Sequence, residues 1–329
     1  MNHRRLLVVS TLIAAALTPA AHAAEAQGTD YPSRPVRMIV PFAPGGASDT
    51  VGRILQPALA EELKQQVVVD NRGGASGMIG VEIAARAQPD GYNFLLGNVG
   101  TMAINPNYYT KASVKPQNEL IGVTQVVDVP GAFVVHPSLP VKSVKEIVAY
   151  LKANPGKLNY GSPAPSSANR LEMEMFLHST ATKAVQINYK GGAGPAVVGL
   201  LGGEVQMMFV TYSSVVGHAK ANRIRMLGVI TTQRIPQTPD VPTMREQGFD
   251  MVVGSWQGIY VPKGTPTAVT GRLFKAAQGT MKNSEVVRRL TDSGISIVTS
   301  ASPVEFKKFW DEEVRRFGKV IKEAGLETE

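Results

Sequence analysis

The sequence predicts an α/β protein of two lobes joined by two chain crossings. Short apolar runs alternate with stretches of helical periodicity, the arrangement of an α/β sheet protein. A strand, a Pro/Gly/Ser loop and a helix open the chain, and the same order returns from Leu158 without sequence identity. Between the two sets lies a β-prone run, Leu120 to Phe133, broken by Pro130-Gly131. At 329 residues the chain exceeds one comfortable core, which agrees with two lobes. The expected division is a leader at 1–23, lobe 1 from 24–125 plus 234–329, and lobe 2 from 126–233.

The opening unit is Val36 to Leu59. Val36, Met38, Ile39 and Val40 make a short buried strand, and Pro41, Pro44, Gly45 and Gly46 end it. Ser48 and Asp49 are good N-caps, after which Val51, Ile54, Leu55, Leu59 and Leu63 recur at helical spacing. Such a junction is either an ordinary turn or an anion site, because the first amides of a helix point out of it unpaired. Val67–Val69 is the next strand, followed by the Gly-rich loop Asp70 to Gly77 and a helix from Met78 to Arg86. Pro89-Asp90-Gly91 is a turn and Tyr92–Leu96 a third strand, so a mostly parallel sheet is expected.

Beyond the β-prone run, Ser143 with Glu146 three residues on opens a helix that Asn154-Pro155-Gly156 stops. Leu158–Tyr160 is a strand, Gly161–Ser167 a loop and Asn169–Leu177 a helix. Val185–Tyr189, the loop Lys190–Pro195 and a helix from Ala196 to Leu201 repeat the order. Gln206–Val210 and Arg225–Ile230 complete the second set, and crossings are expected near 122–130 and 228–238. Gly254–Val261 is extended, a helix follows Pro266, and Phe306, Phe309, Trp310, Val314, Phe317 and Ile321 mark a long final amphipathic helix.

Composition narrows the function. Hydrophobic residues at 43% and charged residues at 18% describe a globular chain. Cysteine is absent, which excludes disulfides, thiolate metal sites and thiol catalysis. Arg4 and Arg5, the apolar run Leu6–Leu17 and Ala21-His22-Ala23 have the form of an export signal, and the run is too short to span a bilayer. Cleavage near Ala23 leaves 32 basic against 26 acidic residues, a balance that favours small anions. The charges are scattered and aromatic residues make up only 6%, so nucleic acid is not expected as a partner.

No Walker sequence, Gly-x-Gly-x-x-Gly, Gly-x-Ser-x-Gly or zinc-type histidine pattern occurs, so no metal, cofactor or catalytic residue is expected. Arg170 stands at the start of a helix, where a cation opposes the macrodipole. It is either a solvated helix residue or a carboxylate clamp. Phe42, Trp256 and Tyr212 are either core or the apolar wall of a ligand cleft.

Several segments in order resemble one family: YPSRPVRMIVPFAPGGASD, VVVDNRGGASGMIG, PDGYNFLLGN with AINPNYY, INYKGGAGPAVVGLLGGEVQMMF, and PDVPTMREQGFD with SWQGIYVPKGTP. The chain is similar from Tyr31 onward to the substrate-binding proteins of tripartite tricarboxylate transporters, the TctC or Bug family. The resemblance implies a two-lobed type II periplasmic solute-binding fold, a Venus flytrap with two hinge crossings. It also implies a monomer that captures a small organic carboxylate and hands it to membrane permease subunits or, in some systems, to a sensor kinase. An exported enzyme on the same fold is the remaining alternative. Carboxylate binding maps onto Phe42–Asp49 and Ser162–Arg170. The candidate ligand-binding set is Phe42, Ala43, Gly45, Gly46, Ser48, Asp49, Asn98, Thr101, Ser162, Ser166, Ser167, Arg170, Gly191, Gly192, Ala193, Thr211 and Trp256. Two departures stand out: Ser166-Ser167-Ala168-Asn169-Arg170 replaces the usual Gly-Ser-x-x-His, and Val210-Thr211-Tyr212 replaces an Asp-Asn pair. Losing an acid and gaining an arginine favours a dicarboxylate or aromatic carboxylate over an amino acid.

Overall fold

The computed structural model describes residues 31–323 apart from 164–166, 191, 232, 250 and 252–254. The expected leader, residues 1–23, and the site candidates Ser166 and Gly191 lie outside the described residues. Among the described residues the strands form two sheets. The first contains β1 (Val36–Val40), β2 (Val67–Asn71), β3 (Asn93–Asn98), β4 (Leu120–Val129), β10 (Ser255–Pro262) and β11 (Ser296–Ile297) in the order β11-β4-β10-β3-β1-β2. The second contains β5 (Gly131–Val135), β6 (Asn159–Ser162), β7 (Val185–Asn188), β8 (Met207–Thr211) and β9 (Arg225–Ile230) in the order β7-β6-β8-β5-β9. The helices are α1 (Ala47–Leu63), α2 (Met78–Ala85), α3 (Asn105–Tyr108), α4 (Pro116–Glu119), α5 (Val144–Ala153), α6 (Ala168–Ser179), α7 (Ala193–Leu201), α8 (Val216–Lys220), α9 (Thr267–Thr280), α10 (Ser284–Asp292) and α11 (Pro303–Glu323).

Both sheets are mixed, which corrects the mostly parallel arrangement expected from the alternation. β1 is parallel to β2 and β3, and β6 to β7 and β8. The strands next to the crossings run the other way: β10 is antiparallel to β3 and β4, and β5 to β8 and β9. Only Pro130 separates β4 from β5, so the chain changes sheets without a crossover helix to turn it round. The return comes later than 228–238. Val229 bridges to Thr243, and Met244 and Met251 pack in the core of the second sheet, so that lobe holds the chain through Met251. The chain next appears in the first sheet at Ser255.

Local chemistry explains the element ends. Ser143 caps α5 by accepting the Glu146 amide at 3.2 Å, while the Glu146 carboxylate accepts the Lys142 amide at 2.7 Å. α7 begins at Ala193, earlier than the spacing suggested, because Pro195 falls in the first turn, where its missing donor costs nothing. Among the described residues no helix is long and apolar enough to cross a membrane. The last helix, α11, lays Phe306, Trp310, Phe317 and Ile321 into the core beside β10. A Cβ on Gly258 of β10 would collide with the Phe306 ring and lie 3.0 Å from the Thr124 carbonyl oxygen. Gly258→Ala should therefore destabilise the chain by about 1–3 kcal/mol through overpacking. A urea midpoint equal to that of the wild type would contradict this packing.

Candidate functional site

The strand ends of both sheets meet at a partly open cavity of about 60 Å³, several times the roughly 10–15 Å³ that one water needs. The first sheet contributes Phe42, Gly46, Ala47 and Ser48 after β1, Asn98, Val99 and Gly100 after β3, and Ser255 and Gln257 from β10. The second contributes Pro163, Ser167, Ala168 and Asn169 after β6, Gly192 and Ala193 after β7, and Thr211 at the end of β8. This is the crevice at the carboxyl ends of strands where ligands enter α/β sheets.

Each wall is built by local chemistry. The Pro41–Gly46 turn uses a positive φ at Gly45 and is tied from β2 by Asn71, whose Nδ2 donates to the Phe42 carbonyl at 3.0 Å. Asp49 accepts the Gly45 amide at 3.0 Å and Arg53 Nε at 2.9 Å. Burial opposes its charge, but these bonds and one from Asn71 outweigh that and hold the carboxyl below the usual range. The N-cap of α1 is Gly46, not Ser48 or Asp49, and no side chain caps the helix. Gly192 likewise begins α7 at φ +104° without a side-chain cap. At α6, Ser167 Oγ accepts the Arg170 amide at 3.1 Å. After β3, Asn98 and Thr101 close a small ring: the Thr101 amide donates to Asn98 Oδ1 and the Asn98 amide to Thr101 Oγ1, both at 3.1 Å.

Among the described residues, no acidic or basic side chain lines the cavity. Its positive potential comes from the amide ends of α1, α6 and α7, one from the first lobe and two from the second. The arrangement can hold an anion through backbone hydrogen bonds from both sides.

Of the residues expected to bind ligand, Phe42, Gly46, Ser48, Asn98, Ser167, Gly192, Ala193 and Thr211 come together here. Ala43, Gly45, Asp49, Thr101, Ser162, Arg170 and Trp256 do not line the cavity. Asp49 and Thr101 are spent on shaping its loops, and Ser162 is fully buried behind Ser167. Arg170 reaches the other lobe instead: Nη1 donates to Tyr108 Oη at 2.9 Å and Nε lies 3.8 Å from Glu174. Trp256 is 3% exposed and donates Nε1 to Glu313 at 2.7 Å. It borders a separate, larger hollow of about 980 Å³ beside the hinge, whose wall carries Asp128, Glu305 and Glu313 as well as Arg234 and Arg316. Tyr212 is core, its hydroxyl 3.1 Å from Thr238 Oγ1. Asn169 falls within the expected stretch Ser162–Arg170, whereas sequence reasoning missed Ser76, Val99, Gly100, Ser255 and Gln257. A single amide inside the apolar strand SWQGIYVP was the one available signal for Gln257.

A family model described as the tripartite tricarboxylate transporter family receptor, TctC, matches residues 51–326. The chain belongs to this family. This TctC chain is 34% identical over 327 residues to Protein BugT of Bordetella pertussis, with 99% of each chain covered. The solved structure of R. palustris Rpa4515 with adipate aligns at a TM-score of 0.86 and 31% identity over 90% of this chain and 98% of that one. MatC (Rpa3494) from Rhodopseudomonas palustris with bound malate aligns at 0.83 and 27%, over 88% and 100%. The two sheets are thus the lobes of a periplasmic binding-protein fold, and the family and these neighbours are binding proteins rather than enzymes.

One titratable group stands just behind the wall. Glu172 of α6 is 2% exposed and accepts Asn169 Nδ2 at 3.2 Å. Burial pushes its carboxyl up to about 8, only partly opposed by that bond. Between its ordinary value of 4.5 and about 8 the folded chain therefore holds a proton that the unfolded chain has lost. Stability should fall as pH rises through that window and level off above it. Glu172→Gln should remove this decline, gaining on the wild type by roughly 1 kcal/mol per pH unit. Denaturation curves that stay parallel from pH 5 to 8 would refute the buried proton.

Proposed function

We propose that this chain is the exported receptor of a tripartite tricarboxylate-type permease and that it captures a small aliphatic dicarboxylate between its lobes. The observation that carries the reading is the convergence of helix amide ends from both lobes on a cavity with no charged side chain among its described lining residues. A carboxylate facing α1 and a second facing α6 and α7 would each meet partial positive charge. The two ligands named in the solved relatives, adipate and malate, are both dicarboxylates. Arg170 adds nothing to the preference, since it is engaged with Tyr108 and Glu174. An amino acid is disfavoured because its ammonium would find no acid in the lining. Export through residues 1–23 and delivery to permease subunits belong to the same reading.

Capture proceeds by closure of the lobes about the β4–β5 hinge at Pro130. Once the lobes meet, water is excluded and each hydrogen bond to the anion strengthens. A thermal-shift screen over mono-, di- and tricarboxylates and amino acids tests the reading. A dicarboxylate at one hundred times its Kd should stabilise the fold by about 2.7 kcal/mol. Responses confined to amino acids, or none from any carboxylate, would overturn it.

Closure also has a steric check. Gly194 of α7 faces Pro44 across the cleft, and a Cβ there would sit 3.1 Å from the Pro44 carbonyl oxygen. Gly194→Ala favours the helix intrinsically by up to roughly 1 kcal/mol, yet it holds the lobes apart. Affinity for the responding dicarboxylate should drop several-fold while the melting temperature of the free protein holds or rises. Unchanged affinity in a calorimetric titration would show that the lobes do not close to this distance.

A further inference from the structure

Gln257 is the one fully buried side chain of the cavity wall whose polar atoms are both without a partner among the described residues. Leaving an amide oxygen and an amide nitrogen sealed and unpaired is costly, and native structures keep such groups where something else completes them. Its backbone is already committed to the sheet, with Asn98 opposite on β3 and Val127 on β4. A register shift between Gln257 and Gly258 interrupts the β10–β4 ladder at this point, and bulges of this kind re-aim a side chain beside a site. The residue stands in the cavity wall together with Ser48, Asn98 and Thr211, its amide buried behind the surface.

We propose that Gln257 is a specificity-determining residue that selects a 2-hydroxy acid. The inference rests on the carboxylate reading of the same cavity. An ionised carboxylate only accepts hydrogen bonds, so it can satisfy Nε2 and leaves Oε1 unpaired. An ammonium group would satisfy Oε1, but the lining offers no acid to offset its desolvation. A hydroxyl next to a carboxylate supplies both halves: the hydroxyl proton goes to Oε1, and a carboxylate oxygen accepts from Nε2. The separation of the two amide heavy atoms is close to that of the hydroxyl and carboxylate oxygens in such an acid. A site built to hydrogen-bond a ligand hydroxyl rejects the analogue that lacks it far more strongly than an apolar pocket rejects a methylene.

The test is calorimetric titration of the purified mature protein with matched pairs: malate and succinate, 2-hydroxyglutarate and glutarate, 2-hydroxyadipate and adipate, lactate and propionate. In the pair that binds, the wild type should take the hydroxy acid at least tenfold more tightly. Gln257→Met, similar in volume but without hydrogen-bonding capacity, should abolish that ratio, with the loss falling on the hydroxy acid and the plain acid unchanged. Equal binding of both members by the wild type overturns the proposal and leaves the carboxylate reading intact; it would mean that water completes the amide. Equal loss for both members in Gln257→Met also overturns it. Failure of the wild type to bind any of these acids defeats the carboxylate reading and this inference together. Should Gln257→Met not fold, the wild-type ratio alone decides.

Discussion

The first amides of α1, α6 and α7 have no carbonyl to meet inside their own helices, and all three helices begin at one cavity between the sheets. Two of the three starts are glycines, Gly46 and Gly192, which contribute no capping oxygen that would compete for those amides. The rest of the architecture keeps these ends in register. Asp49 clamps Gly45, Asn71 clamps Phe42, and the Asn98–Thr101 ring fixes the turn after β3. Asp49, Asn71, Asn98 and Thr101 are thus occupied with holding backbone in place, and the helix amides border the cavity.

The lobes meet over this cavity through small or flat groups. Ala193 lies opposite Gly46, Phe42 opposite Gly192 and Pro44 opposite Gly194. Leu171 and Ala168, at the start of α6, pack with Trp256 and Tyr260 of the first lobe, whereas Phe176 and Leu177 further along the same helix pack with Phe133 of the second. α6 therefore belongs to both cores, and Arg170 beside Leu171 adds a polar tie to Tyr108. The start of α6 and the β4–β5 junction at Pro130 are thus places where the two lobes are tied together.

Much of this was legible in the residues. Strands and helices follow apolar spacing that tertiary packing does not override, and Ser143 with Glu146 marks a helix start by purely local chemistry. The loops around Phe42–Ser48, Ser167 and Gly192 carry Pro, Gly and Ser where a turn must precede a helix. What the residues conceal is direction. Strand polarity depends on how the chain enters a sheet, so β5 and β10 could not be read as antiparallel from their own composition. Arg170 and Trp256 have the chemistry of ligand contacts, but which way each points depends on Tyr108 and Glu313, 62 and 57 residues away in sequence. Gln257 is hidden for the opposite reason: a polar residue in a buried strand is recognised only once its missing partners can be seen.

The position of Arg170 has an energetic reason beside a cavity whose described lining carries no charged side chain. A buried guanidinium has to be desolvated in the empty protein as well as in the complex, and without its anion it is an unpaired charge in a dry cavity. Amide dipoles fixed by helix geometry avoid that cost because their partial charges are smaller and shared among several groups. Placing Arg170 one residue beyond the lining, against Tyr108 and Glu174, keeps its charge paired whether or not an acid is bound. Beside the helix amides, the described wall carries neutral polar side chains, among them Ser48, Asn98, Asn169, Thr211 and Gln257.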